Sequence, residues 1–160
     1  MTEGGRPRRL VGAAWLCAVA AAGALSACRS DAPAASRGLR VALPDGWRAA
    51  LRGEVLELTV QGRAVATLEP RDAARPEAAA LVAALADEGV AGAAPEEGAD
   101  FAGARYALEG GKEGFLAVKQ VGPRTVWCAS TARASPEELT AAYEVCRTLA
   151  QEGPGVAPVP

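Results

Sequence analysis

The sequence predicts an α+β fold, an antiparallel sheet of about five to six strands with two helices packed on it. Three observations point there. Apolar Leu56, Leu58 and Val60 alternate with Glu57 and Thr59, the period of a half-buried strand. Ser135-Pro136-Glu137-Glu138 has the form of a capping box with proline at the first helical position, so a helix starts there. The connections between periodic segments are short, which favours antiparallel neighbours over parallel crossovers.

The elements follow in order. Leu39, Val41 and Leu43 alternate up to a Pro44-Asp45-Gly46 turn, and Trp47 follows. The strand at Leu56 to Val60 turns at Gln61-Gly62, and Ala64 to Glu69 pairs back as a hairpin that Pro70 is expected to end. Pro76 opens a helix with Leu81, Val82 and Leu85 on one side, closing at Gly89. Val90 to Ala99 reads as a loop. Phe101 to Glu109 and Phe115 to Val121 read as strands around a glycine-rich turn, and Gly122-Pro123 leads into a last strand, Arg124 to Thr131. In the closing helix Leu139, Ala142, Cys146 and Leu149 mark the buried stripe. Two helices are expected to cover only one face or one end of such a sheet. The domain is placed at 38–150, and residues 151–160, rich in Gly and Pro, read as a disordered tail.

Ahead of the domain, Arg6, Arg8 and Arg9 precede an uncharged stretch from Leu10 to Leu25 that is mostly Ala, Val, Leu and Gly. This is the charge and hydropathy pattern of a secretory signal, 1–27. As an uncleaved span, Leu10 to Ala27 is marginal in length. Arg8-Arg9 hints at twin-arginine export, but Pro7 before the pair weakens that route, and general secretion is preferred. The stretch ends Leu25-Ser26-Ala27-Cys28, which resembles the lipobox of bacterial lipoproteins. The resemblance implies cleavage before Cys28 and a thiol carrying diacylglyceryl, with palmitate-type chains as the membrane anchor. Residues 28–37, the lipidated cysteine and a polar Ala/Pro/Ser stretch, then form a flexible tether. Arg29, rather than Asp, after that cysteine implies an outer-membrane lipoprotein facing the periplasm.

Composition excludes more than it assigns. The chain has 17 Lys+Arg against 19 Asp+Glu and no His, with a formal net charge of −2. No basic face for nucleic acid is implied, and no imidazole base, proton shuttle or histidine metal ligand is available. Gly110-Gly111-Lys112 is followed by Glu113 and lacks the earlier glycine of a phosphate loop. Ser130 and Ser135 have no histidine or nearby lysine base and sit in no nucleophile elbow. No catalytic residue, cofactor or metal is expected. Carboxylates alone can still hydrolyse a glycoside, so a carboxylate-dependent envelope hydrolase stays open as an alternative.

The order of elements, with Val41-Ala42-Leu43-Pro44-Asp45-Gly46-Trp47 closing the first strand, resembles the PsbP-like fold over about 39–150. That fold includes an extrinsic photosystem subunit, a nuclear-transport factor that binds the Ran GTPase, and bacterial lipoproteins. The resemblance implies protein interaction without catalysis and carries over no site residue.

Two pairs of residues stand out in the domain. Cys128 on the last strand and Cys146 on the buried stripe of the next helix are its only cysteines, and an oxidising compartment tends to join such a pair. Trp127 is opposite in phase to Val126 and Cys128, so with Thr125 it would be an exposed partner contact if the second sheet face is open. The leading expectation is a membrane-anchored, non-catalytic binding or scaffold module for an envelope protein, followed by a small-ligand carrier with a pocket between sheet and helices. An open, uncharged sheet face would favour a partner, an apolar cavity a ligand, and two carboxylates in one cleft hydrolysis.

Overall fold

The computed structural model describes residues 38–108 and 110–151. Within them the chain runs β1 (Leu39–Arg40), β2 (Trp47–Arg52), β3 (Val55–Val60), β4 (Arg63–Arg71), α1 (Ala78–Asp87), β5 (Ala94–Glu97), β6 (Phe101–Ala107), β7 (Glu113–Val121), β8 (Arg124–Ser130), α2 (Pro136–Arg147) and β9 (Ala150–Gln151). Seven strands form one antiparallel sheet in the order β2-β3-β4-β8-β7-β6-β5, and β1 pairs with β9 in a separate ribbon.

The α+β class therefore holds, with more strands than expected. Pairing supplies the extra ones: β2, β5 and β9 carry Ala, Pro, Glu or Gln where a strand pattern would show alternating large apolar residues. Gln151, expected in the tail, pairs with Leu39. Pro70 does not end its strand but sits opposite Val126. The Val65 carbonyl accepts from Thr131 on the β8 side, so by alternation the Pro70 backbone faces the other way. There it lies beyond the first residue of β3, and its missing N–H leaves no ladder bond unmade.

Local chemistry sets the joints. Gln61 (φ +50°) and Gly62 (φ +76°) are both left-handed, as a tight two-residue hairpin turn requires. A bulge between Leu58 and Thr59 follows it, and both Val65 and Ala66 end up buried in the core. At α2 the capping box forms as expected: Ser135 Oγ accepts from the Glu138 amide at 3.3 Å, and Glu138 accepts from the Ser135 amide at 2.8 Å. Glu138 also pairs with Arg63 of β4 at 2.8 Å, which ties the helix start to the sheet.

The helices lie on opposite faces, which corrects the expectation of one covered face. On one face α2 packs on β7, β4 and β8, burying Leu56, Leu58, Leu68, Phe115, Val126 and Cys128 under Leu139, Tyr143 and Cys146. On the other, Ala78, Leu81 and Leu85 of α1 cover Ala102, Ala104 and Val118, and α1 packs mainly on the β5-β6 side. The physical reason lies in β6 and β7, which are apolar on both faces. Ala102, Ala104 and Val118 are fully buried out of phase with Phe101 and Phe115, and so need a second cover.

Helix α1 has no capping side chain of its own at Glu77. Instead Glu97, nineteen residues on in β5, accepts the Ala78 amide at 2.5 Å and pairs with Arg75. The amide bond and the arginine hold the Glu97 carboxyl below the usual carboxylate range. A lowered folded pKa contributes stability that is present above the unfolded value and lost as pH falls through the folded one. Glu97→Gln is therefore expected to lower stability at pH 7 and to reduce its loss on acidification below about pH 4. Urea melts of both proteins at neutral and acid pH measure this; parallel losses would show that Glu97 is not the cap.

Candidate functional site

The structure brings Cys128 and Cys146 together at disulfide distance, with Cα atoms 6.4 Å apart and both residues fully buried. The α2 stripe folded back over β8 is what places them. Cys28, the leader, the tether and the tail beyond Gln151 lie outside the described residues.

Trp127 and Thr125 point to the α1 side, as their phase requires, but that face is not open there. Thr125 is fully buried and donates to the Arg71 carbonyl at 3.2 Å, so it is no surface contact. Trp127 is half-buried against the α1 cluster, with the Arg71 guanidinium 4.5 Å from its ring centroid. Its Nε1 is buried without a hydrogen-bond partner among the described residues. The expected exposed aromatic patch is thus replaced by packing under α1 and Arg71.

A polar cluster that the sequence did not mark lies on the α2 side. Glycine at position 103 leaves room for the Tyr143 ring to lie across β6, wedged edge-on between Phe101 and Phe115 with centroids 5.4 and 5.2 Å away. Tyr143 then donates at 3.0 Å to Glu96, the register partner of Gly103 on β5. Arg147 pairs with the same carboxylate at 3.2 Å, and Arg105 stacks 4.1 Å from the Tyr143 centroid. Burial first, then the neighbouring carboxylate, pushes the Tyr143 phenol up to about 12. At that value it stays protonated across physiological pH and acts as a fixed donor tying α2 to the β5 edge.

Two clefts lie at opposite ends of the sheet. One, about 260 Å³, sits between Arg105, Tyr106, Glu113, Leu139 and Thr140, with Glu113 the single carboxylate among its described lining residues. The other, about 230 Å³, lies where Gly38 and Gln151 approach the Val121 to Arg124 turn. Both fall below the ~300–1,000 Å³ usual for ligand pockets. Among the described residues no group of three or more His, Cys, Asp or Glu converges for a metal, and no helix is long and apolar enough to cross a membrane.

The α1-side face of β2, β3 and β4 lies opposite the face on which α2 packs and away from the main α1 contacts with β5 and β6. It is charged, not uncharged as the partner expectation had it. Arg52 pairs with Glu57 at 2.6 Å and Arg71 with Glu69 at 2.8 Å, while Arg48 is exposed and makes no side-chain ion pair among the described residues. These features define an antiparallel sheet with one helix on each face and an open, polar flank. No protein-family profile, no curated protein and no solved structure matches this chain. The lipobox and PsbP-like resemblances therefore rest on their sequence motifs.

Proposed function

We propose that this protein is a lipid-anchored lipoprotein of the bacterial envelope, held at Cys28, whose domain binds or scaffolds another envelope protein without catalysing a reaction. The observation that carries the binding role is the α1-side face of β2, β3 and β4, opposite α2 and away from the main α1 contacts. An antiparallel sheet with one polar face in water is stable by itself, so the flank is free to take a polar partner. The anchoring role rests on the leader and on Leu25-Ser26-Ala27-Cys28. The ten residue-to-residue steps from Cys28 to Gly38 span at most ~35 Å, which keeps the domain close to the bilayer. In the oxidising periplasm Cys128 and Cys146 are joined.

Each buried methylene of the anchor contributes about 0.8 kcal/mol, so two or more acyl chains hold firmly. Wild type is expected in the membrane fraction and Cys28→Ala in the soluble one; equal partitioning of the two would remove the anchoring claim. For the binding role, a photo-crosslinking side chain at Thr67, on the open flank, is expected to capture one defined envelope protein. The same group at Asp87, the last residue of α1, is expected to capture none. Identical capture from both positions, or from neither, would overturn the flank as the binding surface.

A further inference from the structure

The two edges of the sheet are not alike. Strand β5 spans only four residues, contains Pro95, which offers no amide, and is packed against α1. Short length, proline and a covering helix are the ordinary defences of an edge. Strand β2 spans six residues, has β3 as its single neighbour among the described residues, and has no proline. Its two-residue turn to β3 joins Arg52 and Val55, so in an antiparallel hairpin Arg52, Ala50 and Arg48 bond to β3 while Leu51, Ala49 and Trp47 face outward. The Trp47 amide is already used by the Pro44 carbonyl at 3.1 Å. No other backbone bond among the described residues engages Ala49 or Leu51. Leu51 is 51% exposed beside these free groups, and the Arg52 side chain is 71% exposed.

The geometry points to β2 as the docking edge for an extended acidic segment of the partner protein, added as an eighth strand. Arg48 and Arg52 flank Ala50 on one face of β2, while Ala49 and Leu51 line the other. An antiparallel segment complementary to this edge reads acid, apolar, any residue, apolar, acid. Its carboxylates fall opposite Arg52 and Arg48, and its apolar residues fall opposite Leu51 and Ala49. Main-chain bonds to Ala49 and Leu51 supply the affinity and the paired side chains the selectivity. A second copy of this chain fits poorly. The self-pairing that uses both free residues sets Arg48 opposite Arg52 of the other copy, twice, and directly opposed like charges destabilise a strand pair.

This inference rests on the partner-binding reading and is tested separately from it. The probes are two blocked peptides, Ser-Gly-Glu-Val-Thr-Val-Glu-Gly-Ser and its counterpart with lysine for both glutamates, added at millimolar concentration to the full-length protein in detergent. Amide exchange followed by NMR is expected to slow at Ala49 and Leu51 with the acidic peptide, and binding of the lysine peptide to be roughly tenfold weaker. The double variant Arg48→Glu/Arg52→Glu is expected to reverse the preference. Ala49→Pro, which removes an outward amide that no other described residue uses, is expected to abolish binding with the fold intact. Equal binding of both peptides, or no protection by the acidic one, overturns the assignment. So does a dimer that Ala49→Pro disperses, since the occupant would then be a second copy. If the acidic peptide fails while Thr67 still captures a partner, the binding role stands and the edge assignment falls.

Discussion

Thiol counting on the denatured, unreduced protein is expected to find no free thiol at Cys128 or Cys146, and replacing both with alanine is expected to cost about 3 kcal/mol. The pair closes a loop of 18 residues, and on chain-entropy grounds a cross-link of that length removes about that much freedom from the unfolded chain. Both residues are fully buried in the α2-side core, so truncating them also loses packing. For a domain whose whole stability is about 5–15 kcal/mol, the loss should lower the Tm by roughly 15 °C. Calorimetry of the wild type with and without reductant, beside the double alanine variant, measures it. Two reactive thiols together with a Tm indifferent to reductant would show that the pair is only close-packed.

Gly103→Ala is expected to cost about 3 kcal/mol, although alanine elsewhere in a strand is favoured over glycine. The backbone at position 103 does not have a positive φ, so the cost is steric alone. An added Cβ would lie 2.1 Å from the Tyr143 hydroxyl and 2.9 Å from a Phe101 ring carbon. The Tyr143 ring cannot retreat, being fully buried between two aromatic rings and bonded to Glu96. At Gly114 a Cβ would meet Tyr106 at 2.6 Å, but that ring is partly exposed and can swing outward. Gly114→Ala should therefore cost only about 1 kcal/mol. Tyr143→Phe deletes the nearest clashing atom, so Gly103→Ala in that background should cost less than in the wild type. Denaturant unfolding of the two single variants and the double variant closes the cycle. Strict additivity would mean that the Gly103 effect does not pass through the Tyr143 hydroxyl.

Much of the fold is written in local patterns. The Leu56 to Val60 strand, the Gln61-Gly62 turn, the β6 to β8 meander and both helices follow from period, turn residues and the Ser135 capping box. These signals act within a few residues, so a linear reading recovers them. The proximity of Cys128 and Cys146 was legible for the same reason: a helix that follows a strand must fold back on it, and the apolar stripe says which side faces inward. Strands β2, β5 and β9 were not legible. Trp47 to Arg52 is short of large apolar residues, Ala94 to Glu97 reads as a loop, and Gln151 is a strand residue only because Leu39 arrives beside it.

The choice of face for each helix was also out of reach. It depends on β6 and β7 being apolar on both sides, and alanine hides that: Ala102, Ala104 and Ala117 fit equally well into a core or a surface. Once α1 takes the second face, Thr125 passes from expected contact to packed interior, Trp127 becomes half-buried, and the open surface moves to β2, β3 and β4. The Glu97 cap and the Tyr143-Glu96 bond join residues 19 and 47 positions apart. The residues of one turn or one strand carry their own instructions, whereas an edge, a covered face or a remote cap is decided by what the rest of the chain sets against it.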